Sequence, residues 1–183
     1  MNIQSNPLLV AAVGLAAMPL TSVGSDAPRR FPIIPSVVVT VENGAPSRGA
    51  LQTPFWVGVH DGTFDIYDRD AALGADGLVP APAVERLAED GATGPITAEF
   101  AAAHPYSPQA TLIGPSGPLA PGDRSSTTLN LDPETDRYFS YASMVIPSND
   151  AFIANGSPVA HPLFDDSGRF VAQDFCGCWL RSA

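Results

Sequence analysis

The stretch Tyr141-Ala-Ser-Met-Val-Ile-Pro-Ser-Asn-Asp150 sets three oxygen-bearing side chains, Ser148, Asn149 and Asp150, in a row where an apolar run ends. Hard cations such as calcium are held by carboxylate, amide and carbonyl oxygens. Asp150 is therefore the first candidate metal ligand. The same residues also suit a turn, in which Asn149 and Asp150 only satisfy backbone groups. A second acidic group lies in His60-Asp-Gly-Thr-Phe-Asp-Ile-Tyr-Asp-Arg-Asp70. Its carboxylates, Asp61, Asp65, Asp68 and Asp70, lack the alternate spacing of an EF-hand loop. On an extended strand Asp61 and Asp65 share one face and Asp68 and Asp70 the other, so a metal there needs a bend. With His60 beside them, Asp61 and Asp65 are the set a metal-assisted hydrolase would use. Turn capping and an ion pair to Arg69 explain the same residues.

Other chemistry is thinly represented. No Gly-x-Ser-x-Gly elbow occurs, and His60, His104 and His161 fall in no metalloprotease or deaminase motif. Asp165 and Asp166 are neighbours, which point apart on a strand and fit better in a turn with Ser167-Gly168. Cys176 and Cys178 are the two cysteines. A bridge between them would close a very small ring and strain its geometry, and two thiols supply half of a zinc site.

The elements that must carry these residues are mostly strands. Val37–Val41 is β-branched throughout, and Phe55–His60 carries Phe55, Val57 and Val59 on one face. Phe64–Tyr67 is expected to return as a short strand. Gly74–Pro82 is a loop. Val84–Asp90 reads as a helix stopped by Gly91, and Pro95–Ala103 as a second helix opened by proline. His104–Gly122 has no periodicity and reads as an exposed loop. Ser125–Leu131 alternates apolar and polar residues. Tyr138–Ile146 is the strongest strand, ended by Pro147, which has no N–H for a ladder. Regular crossover helices are missing, so parallel βαβ units are excluded. The fold class expected is mainly β: an antiparallel two-sheet sandwich with one or two short helices in an insertion.

The chain has 183 residues and a formal net charge of −10, with nineteen acidic and nine basic residues, all nine arginine. Such a surface, with no basic cluster, argues against nucleic acid and anionic membranes as partners. Residues Pro7–Leu20 are apolar and uncharged. They are too short to span a bilayer and match the core of a signal peptide. Small residues follow, so cleavage is expected after Gly24 or Ser25, with export from the cytoplasm. Residues 1–25 are thus read as a signal peptide, 26–35 as a linker, 36–175 as the domain and 176–183 as an atypical tail. No membrane insertion is expected once the signal is removed.

Four motifs occur in a fixed order: Phe55-Trp-Val-Gly-Val-His-Asp-Gly62, Glu85-Arg-Leu-Ala-Glu-Asp-Gly91, Gly117-Pro-Leu-Ala-Pro-Gly122 and Tyr141-Ala-Ser-Met-Val-Ile-Pro-Ser-Asn-Asp-Ala-Phe152. As a set they resemble the bacterial branch of the spondin N-terminal (F-spondin) domain family, from about Ser36 to Phe170. The resemblance implies a sandwich related to C2 domains and a secreted, non-enzymatic module of the adhesion or matrix type, whose partner would be an extracellular protein or carbohydrate. It also implies calcium as a cofactor, held by an Asp in the Pro-Ser-x-Asp turn and by acidic residues of a later Asp-Ala-Gly-Thr motif. The first of these falls on Asp150.

The later motif has no counterpart here. After Phe170 the chain reads Val171-Ala-Gln-Asp-Phe-Cys-Gly-Cys-Trp-Leu-Arg-Ser-Ala183, which resembles a premature or frame-shifted ending. Asp165, Asp166 and Asp174 are the acidic residues left downstream. One carboxylate with an amide and waters binds calcium weakly, since affinity follows charge count and rigidity. On this reading the sandwich lacks its last strands. Some of Met144, Val145 and Phe152 would be more exposed than usual for a core, beside an open edge that invites self-association. Three functions thus follow from the sequence: the adhesion-type module, the His60/Asp61/Asp65 hydrolase, and a truncated product without function.

Overall fold

The computed structural model describes residues 36–66, 82–174 and 179–181. Residues 1–35, where a signal peptide and linker are expected, and Tyr67, Asp68, Arg69, Asp70 and both cysteines lie outside the described residues. Eight strands and two helices occur among the described residues. They are β1 (Ser36–Glu42), β2 (Leu51–Gln52), β3 (Phe55–His60), α1 (Pro82–Asp90), α2 (Thr93–Ala103), β4 (Gln109–Leu112), β5 (Arg124–Asn130), β6 (Tyr138–Ile146), β7 (Ala151–Ala154) and β8 (Trp179–Arg181).

The strands form two antiparallel sheets. β1 and β5 make a two-stranded sheet, in register from Ser36 opposite Asn130 to Glu42 opposite Arg124. The other sheet is six-stranded, in the order β4-β3-β6-β7-β8, with β2 also paired to β6. The β-branched run of β1 turns Val37, Val39 and Val41 toward the larger sheet. Its other face, apart from Val38, is polar: Ser36 donates to Asn130 at 2.7 Å, Thr40 and Ser126 share a bond of 2.9 Å, and Arg124 pairs with Glu42 at 2.7 Å.

The larger sheet is covered on both faces. Phe55, Val57 and Val59 of β3, with Phe139, Tyr141 and Val145 of β6, pack toward the small sheet, with Leu129 and Leu131 in the same cluster. Trp56, Ala142 and Phe152 face the other way, against Leu87 of α1 and Ile96 and Phe100 of α2. The arrangement is therefore a sandwich with a helical layer outside it. This double coverage explains why β3 is buried at all six positions. A strand with both faces covered loses the alternation of a half-buried one.

Local chemistry fixes the helices. α1 buries Val84, Leu87 and Ala88 and exposes Glu85, Arg86, Glu89 and Asp90, the spacing of one helical face. Gly91 ends it at φ 66°, and its N–H reaches the Leu87 carbonyl at 3.0 Å. A Cβ at Gly91 would lie 2.5 Å from the Thr53 side chain, so helix and sheet meet closely there. Gly58 serves the same end within β3. A Cβ there would sit 2.7 Å from the Trp56 indole, so the glycine gives the ring its place on the sheet.

Several expectations are corrected. Phe64–Ile66 is not a strand: Phe64 and Ile66 are buried beneath the helices while Asp65 points outward, an order set by burial rather than pairing. The segment His104–Gly122 is not wholly an exposed loop. It contains β4, paired to β3, and buries Leu112 and Leu119 in the core. Its apolar residues are too widely spaced to show a period, yet two of them fill the sandwich. The open edge beside β7 is absent, because β8 pairs with β7 through Phe152 opposite Leu180. Met144 (7% exposed), Val145 (3%) and Phe152 (0%) are accordingly buried.

Phe100 is the centre of the helical layer. Its ring meets Trp56 at 5.3 Å, Phe64 at 4.9 Å and His104 at 5.2 Å between centroids. Phe100→Ala is expected to cost about 3–5 kcal/mol, the range for truncating a buried aromatic. Val38→Ala, on the outward face of β1, is expected to cost under about 0.5 kcal/mol. Urea melts of the two variants check this.

Candidate functional site

The Pro147–Asp150 segment joins β6 to β7. Ser148 closes it: its Oγ donates to the Val145 carbonyl at 2.6 Å and accepts the Ala151 N–H at 3.0 Å. Ser148 is thus engaged by the backbone of its own turn, as the turn reading expects. Asn149 and Asp150 are exposed beside it. Among the described residues no three His, Cys, Asp or Glu side chains gather to hold a metal ion. A calcium shell of about six to eight oxygens would have to come from one carboxylate, turn amides or carbonyls, and water. The residues present do not fit a tightly held calcium ion.

The His60 group is differently built from a metal-assisted hydrolase. Asp61 and Asp65 are both exposed, and the chain between them is not extended. Asp61 Oδ1 accepts the Thr63 N–H at 3.0 Å and the Thr63 hydroxyl at 2.6 Å. The hydroxyl bond is the main reason its carboxyl titrates below the ordinary value. His60, in contrast, is fully buried on β3, with its ring near Phe64, Phe100 and His104. The sequence set of His60, Asp61 and Asp65 is therefore divided between interior and solvent.

Two backbone donors settle which way the buried hydrogen bonds run. The Gly62 N–H points at His60 Nδ1 (3.0 Å), so that nitrogen is the acceptor and Nε2 carries the proton. Nε2 then donates to Ser140 Oγ at 2.8 Å. The Tyr141 N–H points at Asn155 Oδ1 (3.0 Å), so the Asn155 amide nitrogen is turned the other way. It donates to Ser140 Oγ at 2.9 Å and to the Ser157 carbonyl at 2.9 Å. Ser140 Oγ thus receives two donors, one from β3 and one from just beyond β7. A serine nucleophile needs a base that takes its proton, and neither neighbour offers a lone pair.

Burial, reinforced by the nearby His104, lowers the His60 pKa from 6.5 to about 4; Asp61 opposes the shift. The ring is neutral at physiological pH, as a donor to serine should be. A second buried join lies along β6. Ser143 donates to the Thr53 carbonyl at 3.0 Å, and Thr53 Oγ1 accepts the Met144 N–H at 3.0 Å.

Sequence reasoning missed two polar residues. Asn155 follows an apolar strand and looks like an ordinary turn residue, yet it is 3% exposed. Asp136 is 2% exposed and accepts the Ser107 hydroxyl at 2.8 Å and the Asp132 N–H at 2.8 Å. Burial raises its pKa. The signal for it was Asp132-Pro-Glu-Thr-Asp136, two carboxylates bracketing a turn. The Asp165–Gly168 turn was legible: Asp165 Oδ1 accepts the Ser167 N–H at 2.9 Å and the Arg169 N–H at 3.0 Å. Comparison with known protein families and with characterised proteins returns no match to this chain.

His60 gives the pH dependence a definite sign. The unfolded chain takes up a proton near the ordinary value of 6.5, whereas folded His60 refuses it until about pH 4. Stability from His60 is therefore complete above pH 6.5 and declines as pH falls toward 4. His161, also lowered by burial, adds to the same fall. His60→Gln keeps an N–H for Ser140 and is expected to flatten this slope while costing about 1–3 kcal/mol at neutral pH. Melting temperature against pH for both proteins checks it.

Proposed function

We infer that this chain is a secreted, non-catalytic module of the adhesion or matrix type, as the spondin resemblance implies. The observation that carries the non-catalytic part is the direction of the buried hydrogen bonds. His60 and Asn155 both spend a donor on Ser140, so the groups most able to do acid–base or nucleophilic chemistry are consumed in joining β3, β6 and β7. The acidic residues support the same reading, since Asp61 and Asp165 close turns and Asp136 caps the β5–β6 connection. Among the described residues no helix is long and apolar enough to cross a membrane. The signal-like segment supports export. The partner class is an extracellular protein or carbohydrate, met by an acidic surface that disfavours polyanions.

Asp150 contributes at most one carboxylate to a weak, exposed calcium contact. Micromolar calcium is accordingly expected to leave the melting temperature unchanged, and Asp150→Ala to melt like the parent. The hydrolase alternative is tested on the same samples with ester, phosphate-ester and glycoside substrates plus magnesium, manganese or zinc. No turnover is expected. Turnover abolished by Asp61→Asn would overturn the reading. For adhesion, beads coated with folded protein are expected to retain cells or matrix material that beads coated with heat-unfolded protein do not. Equal retention by both would count against it.

A further inference from the structure

The small sheet ends on β1, whose one strand neighbour among the described residues is β5. The hydrogen bonds between the two have a fixed phase. The Asn43 N–H donates to the Asp123 carbonyl at 3.0 Å, and the Gly122 N–H donates back to the Asn43 carbonyl at 2.8 Å. Gly122, at φ 87°, takes up the extra residue of this bulge. Opposed residues in an antiparallel ladder alternate between bonded and non-bonded pairs. Along the register from Asn43, Val41, Val39 and Val37 thus exchange bonds with Ser125, Thr127 and Leu129. The side-chain bonds of Ser36 to Asn130 and of Thr40 to Ser126 fall on the intervening pairs, where side chains approach more closely. The backbone N–H and C=O of Ser36, Val38, Thr40 and Glu42 therefore point away from β5. All four residues are exposed, and among the described residues these groups meet no backbone partner.

A cleft of about 910 Å3 lies along that edge. Val37 to Glu42 all line it, whereas β5 contributes Arg124 alone. Consecutive residues of a strand point to opposite faces, so a cleft that touches all of them runs beside the strand, not beneath it. Its floor is Phe139, Tyr141 and Ile153, from β6 and β7 of the larger sheet. Val37, Val39 and Val41, although turned inward, stay half-buried beside it. The cleft is thus walled by a row of free backbone donors and acceptors at every second residue. Another extended backbone matches that row, as in strand addition to a sheet edge. A second copy entering through its own β1 is excluded by shape. Two β1 edges paired about a two-fold axis normal to the sheet keep both inner faces on the same side, so the larger sheet of each copy would collide with that of the other.

We propose that the free edge of β1 is a docking site for an extended segment of another polypeptide, added antiparallel as a third strand of the small sheet. Every strand pair among the described residues is antiparallel, and such ladders are slightly the more stable per residue. Opposed residues share a face of the sheet. The segment's polar residues therefore stand opposite Ser36, Val38, Thr40 and Glu42 and exchange backbone bonds with them. Its alternate apolar residues stand opposite Val37, Val39 and Val41, above the floor of the cleft. The segment matches the seven residues of β1 and is not acidic, since the chain carries −10. The inference goes beyond the adhesion reading and stands without it.

The probe is a fluorescein-labelled peptide, Lys-Thr-Val-Thr-Val-Thr-Val-Thr-Lys with an amide end. Its anisotropy is expected to saturate at one peptide per chain. Methylating the backbone nitrogens of the two central threonines removes donors to β1 and is expected to weaken binding at least about tenfold, the worth of two net hydrogen bonds. Methylating the first and last valines, whose N–H groups point away from β1, is expected to leave binding unchanged. Amide exchange at Val38 and Thr40 is expected to slow at least about tenfold on binding, while Val39, bonded to Thr127 throughout, does not change. Val38→Pro removes one edge donor and no bond to β5; it is expected to weaken the peptide at least about fivefold. Thr128→Pro, the matching change on the outer edge of β5, leaves it unchanged. If Val38→Pro loses its cooperative melt, the two methylated peptides decide on the parent protein. The proposal is overturned by absent or non-saturating binding, by equal binding of the two methylated peptides, or by loss with the valine pattern instead. It is overturned equally if Val38 and Thr40 are already protected in the free protein, or if light scattering shows a dimer whose formation excludes the peptide.

Discussion

β6 lies at the middle of a sheet covered on both faces, so every polar group on it must find its partner inside the protein. Water is not available to Ser140 or Ser143, both 0% exposed, and an unpaired buried hydroxyl costs about 1–3 kcal/mol. The two serines point to different neighbours. Ser140 draws His60 from β3 and Asn155 from beyond β7; Ser143 draws Thr53 from the end of β2. Each requirement of one strand thus becomes a bond to another. Apolar contacts alone would tolerate a two-residue slip in register, since a strand repeats every second residue. Directed bonds at Ser140 and Ser143 do not tolerate it.

The same constraint shapes the chemistry. A histidine that bridges two strands in a dry interior is neutral and holds one tautomer. Both properties would also suit a general base; what sets His60 apart is that its lone pair, on Nδ1, is taken by the Gly62 N–H and is not aimed at Ser140. The carboxylates are used in turns instead, Asp61 at the surface and Asp136 in the interior.

The strands were legible where side-chain chemistry is local. Val37–Val41, Phe55–His60 and Tyr138–Ile146 carry β-branched or aromatic residues between turn signals, and they match β1, β3 and β6 closely. The helix ending at Gly91 was legible for the same reason. β4 was not, because Gln109-Ala-Thr-Leu112 has little pattern of its own and is made a strand by its pairing with β3. β8 was hidden for the same reason. The face of β3 that carries Phe55, Val57 and Val59 was legible; the burial of its other face was not, because Trp56 and His60 are covered by helices distant in sequence. The role of His60 was illegible, since Gly62 and Ser140, which fix its tautomer, are two and eighty positions away. Nothing in His60-Asp61 distinguishes a buried bridge from a ligand pair.

The claim that His60 is a neutral structural bridge is tested most directly on its imidazole nitrogens. Nitrogen-15 NMR of histidine-labelled protein near pH 6 reads which ring nitrogen bears the proton. The account requires Nε2 protonated and Nδ1 bare, with no imidazolium until the pH approaches about 4. A ring protonated at Nδ1, or already charged at pH 6, would contradict it. Ser140 would then face a lone pair or a cation, and the chemistry of the site would have to be read again.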